Sequence, residues 1–236
     1  KRREAIDEIF NVVTSAIAFS GAETTTSGFL MQAATAARYD IESYRGTFTL
    51  PEKILEFLTR NYSGFGIITE GASATGECLS QLADILKPEF SLGIDISGSL
   101  VRIAQRNAQE NTLFVQGDIR YLPVRNNCAQ VYALNNVFDR VVDPIKASLE
   151  AGRILCKEDS YFALSNCDPL QFGYTTKEGL SVVFVPEKNQ LSLEEGLKTA
   201  GFKKEIEQQG IWNISTAAYG KEKLPYKSLL GRRLKK

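Results

Sequence analysis

The spacing of apolar residues changes character along this chain. Early on, Ile6, Ile9, Phe10, Val13 and Ile17 recur at helical spacing. A polar break at 21–28, with a glycine at each end, separates this stripe from a second helical stretch over 29–39. Pro51 then stands where a helix begins, and Ile54, Leu55 and Leu58 follow at helical spacing. From about residue 66 the pattern becomes short apolar runs, at 66–70, 90–95, 112–116, 131–135 and 161–165, each separated from the next by a helix-compatible segment. That alternation predicts βαβ units and a parallel sheet. Asp143-Pro144 predicts a helix start, Ser192 with Glu195 a capping box, and Gly201 a helix end. Further strand-like runs lie at 180–185, 203–208 and 211–218. The pattern divides the chain into an N-terminal helical cap or lid over 1–62, a parallel α/β domain over 63–220, and a tail over 221–236. Arg232, Arg233, Lys235 and Lys236 make that tail basic, and it reads as a solvated, frayed end.

Composition narrows the chemistry. With 236 residues, 43% hydrophobic and 24% charged, the chain has the makings of one α/β domain with an appended element. Its 28 basic and 28 acidic residues cancel, which argues against nucleic acid as a partner. There is no histidine, so a Ser-His-Asp triad, a His-ligated metal and an imidazole base are all excluded. The four cysteines show no CxxC spacing and read as reduced thiols of an intracellular protein; no metal is expected. Lys1-Arg2-Arg3 ahead of an apolar stretch mimics a signal peptide, but Glu4, Asp7 and Glu8 interrupt it. No run approaches the apolar length of a membrane span, so the expectation is a soluble, cytoplasmic protein with no membrane partner.

In open parallel sheets, ligands bind outside the carboxyl ends of the strands. The residues just past each predicted strand are therefore the informative ones. Glu70-Gly71-Ala72-Ser73-Ala74-Thr75-Gly76 is a turn of small residues that lets backbone approach a ligand. Asp95-Ile96 offers a carboxylate suited to a pair of ribose hydroxyls. Asp118-Ile119 offers one suited to an exocyclic amine, and Asn135-Asn136 puts polar groups near the cleft centre.

Taken in order, these pieces resemble class I S-adenosylmethionine-dependent methyltransferases. The stretch 68–76 resembles the family's acidic, glycine-rich first motif, 92–97 its second, and 114–123 its third; 133–144 looks like the fourth. Arg153-Ile154-Leu155 and Gly201-Phe202 sit where the family has similar residues before its fifth and sixth strands. The resemblance implies a seven-stranded, mostly parallel Rossmann-like sheet with helices on both faces. It implies S-adenosylmethionine as cofactor, held by Glu70, Gly71, Ala72, Gly76, Asp95, Ile96, Asp118, Ile119 and Asn135. The first motif departs from the pattern, with Ala72 and Ala74 where glycines are usual.

The resemblance implies in-line methyl transfer to a small molecule or peptide, a reaction governed largely by positioning. Tyr44, Asn136 and Asp139 are the substrate-side candidates, and no residue is assigned as catalytic base, with Glu23 and Tyr39 the other polar groups considered. The altered first motif keeps a second expectation open: a protein of the same fold that binds or scaffolds without methylating. Oligomeric state is not legible in the sequence.

Overall fold

The computed structural model describes residues 50–64, 66–138, 141, 143–167, 172–175, 181–184, 191–216 and 220–233. The helical segments expected over 6–17 and 29–39, and with them Glu23, Tyr39, Tyr44 and Asp139, lie outside the described residues. Helix α1 spans Glu52–Asn61, with Pro51 as the extended residue just before it. There follow β1 (Ile67–Gly71), α2 (Glu77–Leu86), β2 (Phe90–Asp95), α3 (Gly98–Arg106), β3 (Thr112–Gln116) and β4 (Ala129–Asn135). Then come α4 (Pro144–Ile154), β5 (Ser160–Cys167), β6 (Phe172–Thr175), β7 (Ser181–Phe184), α5 (Leu193–Thr199), β8 (Lys203–Thr216) and β9 (Gly220–Arg233).

Seven strands form one sheet in the order β3-β2-β1-β4-β5-β9-β8, and β6 pairs with β7 separately. The pairings β3-β2, β2-β1, β1-β4 and β4-β5 are parallel, while β9 runs antiparallel to both β5 and β8. Strand order reverses at β1, which lies between β2 and β4, so the cleft opens where their carboxyl ends part. Helices cover both faces. Ile54 and Leu58 of α1, Leu79 and Leu82 of α2 and Ala104 of α3 pack with Ile68, Val131 and Tyr161 on one side. Ala151 and Ile154 of α4 and Leu193 and Leu197 of α5 pack with Tyr132, Leu134 and Phe162 on the other. The alternation of Val131 and Ala133 with Tyr132 and Leu134 between the two cores is the period-2 pattern of a strand buried on both faces.

The local start signals behave as their chemistry dictates. Ser97 accepts from Leu100 N–H at the head of α3, and Asp143 accepts from Lys146 N–H at the head of α4. Ser192 and Glu195 exchange hydrogen bonds as a capping box, and Gly201 ends α5 at φ 83°.

Two expectations of the sequence are corrected. The run at 203–208 and the described part, 211–216, of the run at 211–218 belong to one strand, β8; Gly210, between them, lies opposite Tyr226, whose hydroxyl would stand 2.6 Å from an added Cβ. The basic end is not a frayed tail up to Arg233, because 220–233 forms β9, inserted between β5 and β8. Leu229 and Leu230 are fully buried, one in each core, which anchors the strand. Pro225 falls one residue past the Cys167–Tyr226 pair, where β9 no longer has β5 beside it. Arg233 donates to the carbonyls of Gly152, Leu155, Cys156 and Ala200 and lies 4.6 Å from the Phe202 ring centroid. Arg232 pairs with Asp159. Both arginines are fasteners of the domain.

Candidate functional site

The carboxyl ends of β1, β2 and β4 bring Glu70, Asp95 and Asn135 to one end of the sheet, all three buried. The turn between β1 and α2 links them. Ser73 N–H donates to Ile94 O and Ala74 N–H to Asp95 Oδ2 (2.9 Å), which draws the turn onto the end of β2. Asp95 Oδ1 accepts from Ser97 N–H (2.8 Å). The carboxylate therefore holds the turn and the head of α3 together, the capping role its position next to Ser97 suggests. It retains acceptor capacity, since each oxygen has two lone-pair directions and these bonds use one on each. Burial pushes the Asp95 carboxyl above its usual range, against the lowering effect of the Ser97 and Ala74 N–H groups.

The turn is strained where the sequence departs from the family. Ala72 has φ 53° and Ala74 φ 47°, the left-handed region in which a Cβ costs roughly 1–2 kcal/mol per residue. Gly76, at φ 88°, avoids that penalty, and a Cβ there would also strike the Phe114 ring at 2.5 Å. Gly71 has a different role from the backbone freedom its position suggested. It is the last, extended residue of β1, and its missing side chain leaves room for Tyr132 Oη, Leu134 and Ile119. This brings Ile119, from the segment after β3, against the end of β1.

Glu70 is fully enclosed. Burial pushes its carboxyl up to about 8, while hydrogen bonding with the Cys78 thiol and Leu79 N–H works the other way. Leu79 lies in the first turn of α2, whose N-cap residue Gly76 has no side chain with which to cap it. Glu70 thus serves part of that need, and its Oε2 is left buried without a partner. Cys78, a free thiol, bridges Glu70 and Asn135, and its own ionisation is pushed up by burial and by Glu70. Nothing in the sequence marks Cys78 except its place on the buried stripe of α2.

Asp118 follows β3 and is three-quarters buried, paired with Arg120. Arg120 N–H and Nε donate to Oδ1 at 2.8 and 3.1 Å, and Nε and Nη2 donate to Oδ2 at 3.1 and 2.8 Å. Burial works to raise this carboxyl, but the Arg120 hydrogen bonds and charge outweigh it and hold it below the usual range. Arg120 is the other residue that the sequence reading missed. Ile96, by contrast, exposes apolar surface next to Asp95, at 46% exposure. Asn136 is buried with φ 53°, and its N–H donates to Ser165 O (2.6 Å). An open groove of about 440 Å³ lined by Leu50, Leu55, Gln81 and Ile85 lies between α1 and α2; it contains none of these polar residues.

A Rossmann-like sheet of this order, with acids at successive strand ends, defines the class I methyltransferase fold. The comparisons agree: residues 70–218 match the family model described as a methyltransferase domain, and the chain belongs to that family. No curated protein matches it. Among solved structures, a SAM-dependent methyltransferase from Methanosarcina mazei is similar at TM-score 0.58 and 15% identity, over 80% of this chain and 100% of that one. A SAM-dependent methyltransferase from Aquifex aeolicus is similar at TM-score 0.57 and 14% identity, over 85% of this chain and 98% of that one. A Haloferax volcanii structure, similar at TM-score 0.54 and 13% identity over 78% of this chain and 94% of that one, is a complex with the Trm112 methyltransferase activator. Among the described residues, no helix is long and apolar enough to cross a membrane.

Proposed function

We propose that this protein is an S-adenosylmethionine-dependent methyltransferase acting on a small molecule or peptide. The observation that carries this reading is the meeting of Asp95, Glu70 and the left-handed 72–76 turn at the point where strand order reverses. The residues suit such a cofactor. Asp95 has acceptor capacity for two ribose hydroxyls beyond its two backbone bonds. Glu70 Oε2 is an unpartnered buried acceptor at the foot of the turn. Ile96 exposes a surface that an adenine face would cover, and Ile119 packs against the end of β1 beneath it. Asp118 would receive the adenine amine, while Gly71, Ala72 and Gly76 shape the backbone beside the methionine portion.

When bound, S-adenosylmethionine supplies a methyl group made electrophilic by its sulfonium. The protein's part is to orient and to exclude water. Asp95 would hold the sugar and the turn the chain beyond it, and with water excluded the remaining task is to position an acceptor against the methyl group. No buried histidine or other dedicated base is required for an acceptor that is already nucleophilic. On the substrate side the sequence offers Tyr44, Asn136 and Asp139, of which Asn136 lies among the described residues, beside Asn135 at the end of β4.

A second reading has its own observation. Ala72 and Ala74 hold positive φ at a cost that glycine would avoid, as a fold kept for binding or scaffolding could tolerate. Titration calorimetry separates the two. The enzyme reading expects saturable binding of S-adenosylmethionine and of S-adenosylhomocysteine, followed by methyl incorporation into a small-molecule or peptide pool. Absence of heat and of thermal shift at millimolar ligand would leave only the scaffold reading.

A further inference from the structure

We infer that residues 210–216 of β8 form a self-complementary sheet edge through which two copies of this chain pair into an antiparallel, two-fold symmetric dimer. This goes beyond the methyltransferase reading and does not depend on it.

β8 is the last strand of the seven-stranded sheet, and among the described residues no strand pairs with its outer side. An uncovered edge presents a row of N–H and C=O groups that can template another strand, and proteins blunt such edges with shortness, charge or proline. Elsewhere this sheet does so. At its other end β3 has only five residues. β9 loses its β5 neighbour beyond the Cys167–Tyr226 pair, and the stretch so uncovered holds Lys221, Glu222, Lys223 and Pro225. The first part of β8 holds Lys203, Lys204, Glu205 and Glu207. The rest of β8, Gln208-Gln209-Gly210-Ile211-Trp212-Asn213-Ile214-Ser215-Thr216, has neither charge nor proline.

That unblunted stretch is also the one short of neighbours. Past the Gly210–Tyr226 pair, β8 and β9 run on as a ribbon from Ile211↔Pro225 to Thr216↔Gly220, with no β5 beside it. A two-stranded ribbon is marginal alone, and three or more strands are needed for stability. Two ribbons joined at their β8 edges make four. An antiparallel pair of identical strands is isologous, so the residue on its two-fold axis faces itself. With Asn213 on the axis, the whole contact stays inside the uncharged stretch. Gly210 then faces Thr216, Ile211 faces Ser215, and Trp212 faces Ile214 of the second copy. The last is an aromatic and β-branched pair, a combination that stabilises adjoining strands. An axis at Lys204 or Glu205 would instead set like charges face to face.

Sedimentation velocity of the full chain from micromolar to sub-millimolar concentration tests the pairing. The wild type is expected to pass from monomer to a species of twice the mass. Asn213→Lys and Asn213→Asp each place like charges opposite one another and should each weaken association by about tenfold or more. An equimolar mixture of the two should restore it as a mixed dimer, which a change in the ribbon's own structure would not do. Hydrogen exchange needs no substitution: amides within 210–216 should be slowed on association. A wild type that stays monomeric throughout overturns the proposal. So does a dimer that leaves those amides unchanged, that neither variant weakens, or that the mixture fails to restore.

Discussion

Two buried polar regions of this domain are built on opposite terms. At the amino-terminal end of the sheet, Arg233 spends its guanidinium on four carbonyls at the ends of α4 and α5 and stacks on Phe202. Nearby, Arg153 and Glu150 form a paired clamp on the loop after β3. At the carboxyl end, Glu70 Oε2, Ser73 Oγ and Tyr132 Oη are buried without partners, and Ala72 and Ala74 sit at positive φ. Satisfied polar groups fasten a fold. Unsatisfied ones beside strained backbone cost stability; here Glu70 Oε2 and Ser73 Oγ share one turn with Ala72 and Ala74, whereas others, such as Gln130 Oε1 and Arg232 Nε, lie elsewhere. The contrast separates the arginines that hold the domain together from the acids proposed to meet the cofactor.

The contrast breaks or sharpens under substitution. The largest effect is expected at Glu70. Its carboxyl, raised from 4.5 to about 8, holds a proton in the folded chain that the unfolded chain releases across that window. Stability should therefore fall as pH rises from 4.5 toward about 8, by roughly 1 kcal/mol per pH unit within the window. Chemical denaturation across this range should show the slope in the wild type and a flatter profile in Glu70→Gln. Equal slopes would mean that Glu70 is not the buried proton site. Next, Arg233→Ala should lower unfolding free energy by about 3 kcal/mol, because it strands carbonyls at two helix ends, and should leave cofactor affinity alone. A drop in that affinity would mean that the two regions are coupled.

Smaller effects of opposite sign are expected in the cleft. Tyr132→Phe removes an unpartnered buried hydroxyl and should be neutral or stabilising by up to about 1 kcal/mol, as measured by urea denaturation. A loss of stability would show that the hydroxyl is satisfied after all. Ala72→Gly and Ala74→Gly should each stabilise by about 0.5 kcal/mol, the relief of positive φ less the added freedom of the unfolded chain. Destabilisation by either would contradict the strain assigned to the turn.

The parallel half of the sheet is legible in sequence because its strands are short and apolar and because β2 and β4 are followed by recognisable helix starts at Ser97 and Asp143; the helix-compatible segment expected between β3 and β4 holds no helix. The antiparallel edge is not. β9 carries Lys221, Lys223, Pro225 and Lys227 along with Gly220 and Gly231, so its composition reads as a solvated end. Its anchors, Leu229 and Leu230, are adjacent because both sheet faces are covered there, and they give no alternation to detect. In the site, Asp95 and Glu70 stand out because they end strands. Cys78 hides in an ordinary helical stripe, and the Arg120–Asp118 fork spans a turn of two residues, where no periodic signal exists.

The central claim is that Asp95 anchors an adenosyl cofactor at the point where strand order reverses. Calorimetric titration of Asp95→Ala with S-adenosylhomocysteine, alongside the wild type, tests it most directly. The account predicts a loss of about a hundredfold or more in affinity, the value of two hydrogen bonds to a charged acceptor, in a protein that still unfolds cooperatively. An affinity equal to that of the wild type would contradict it.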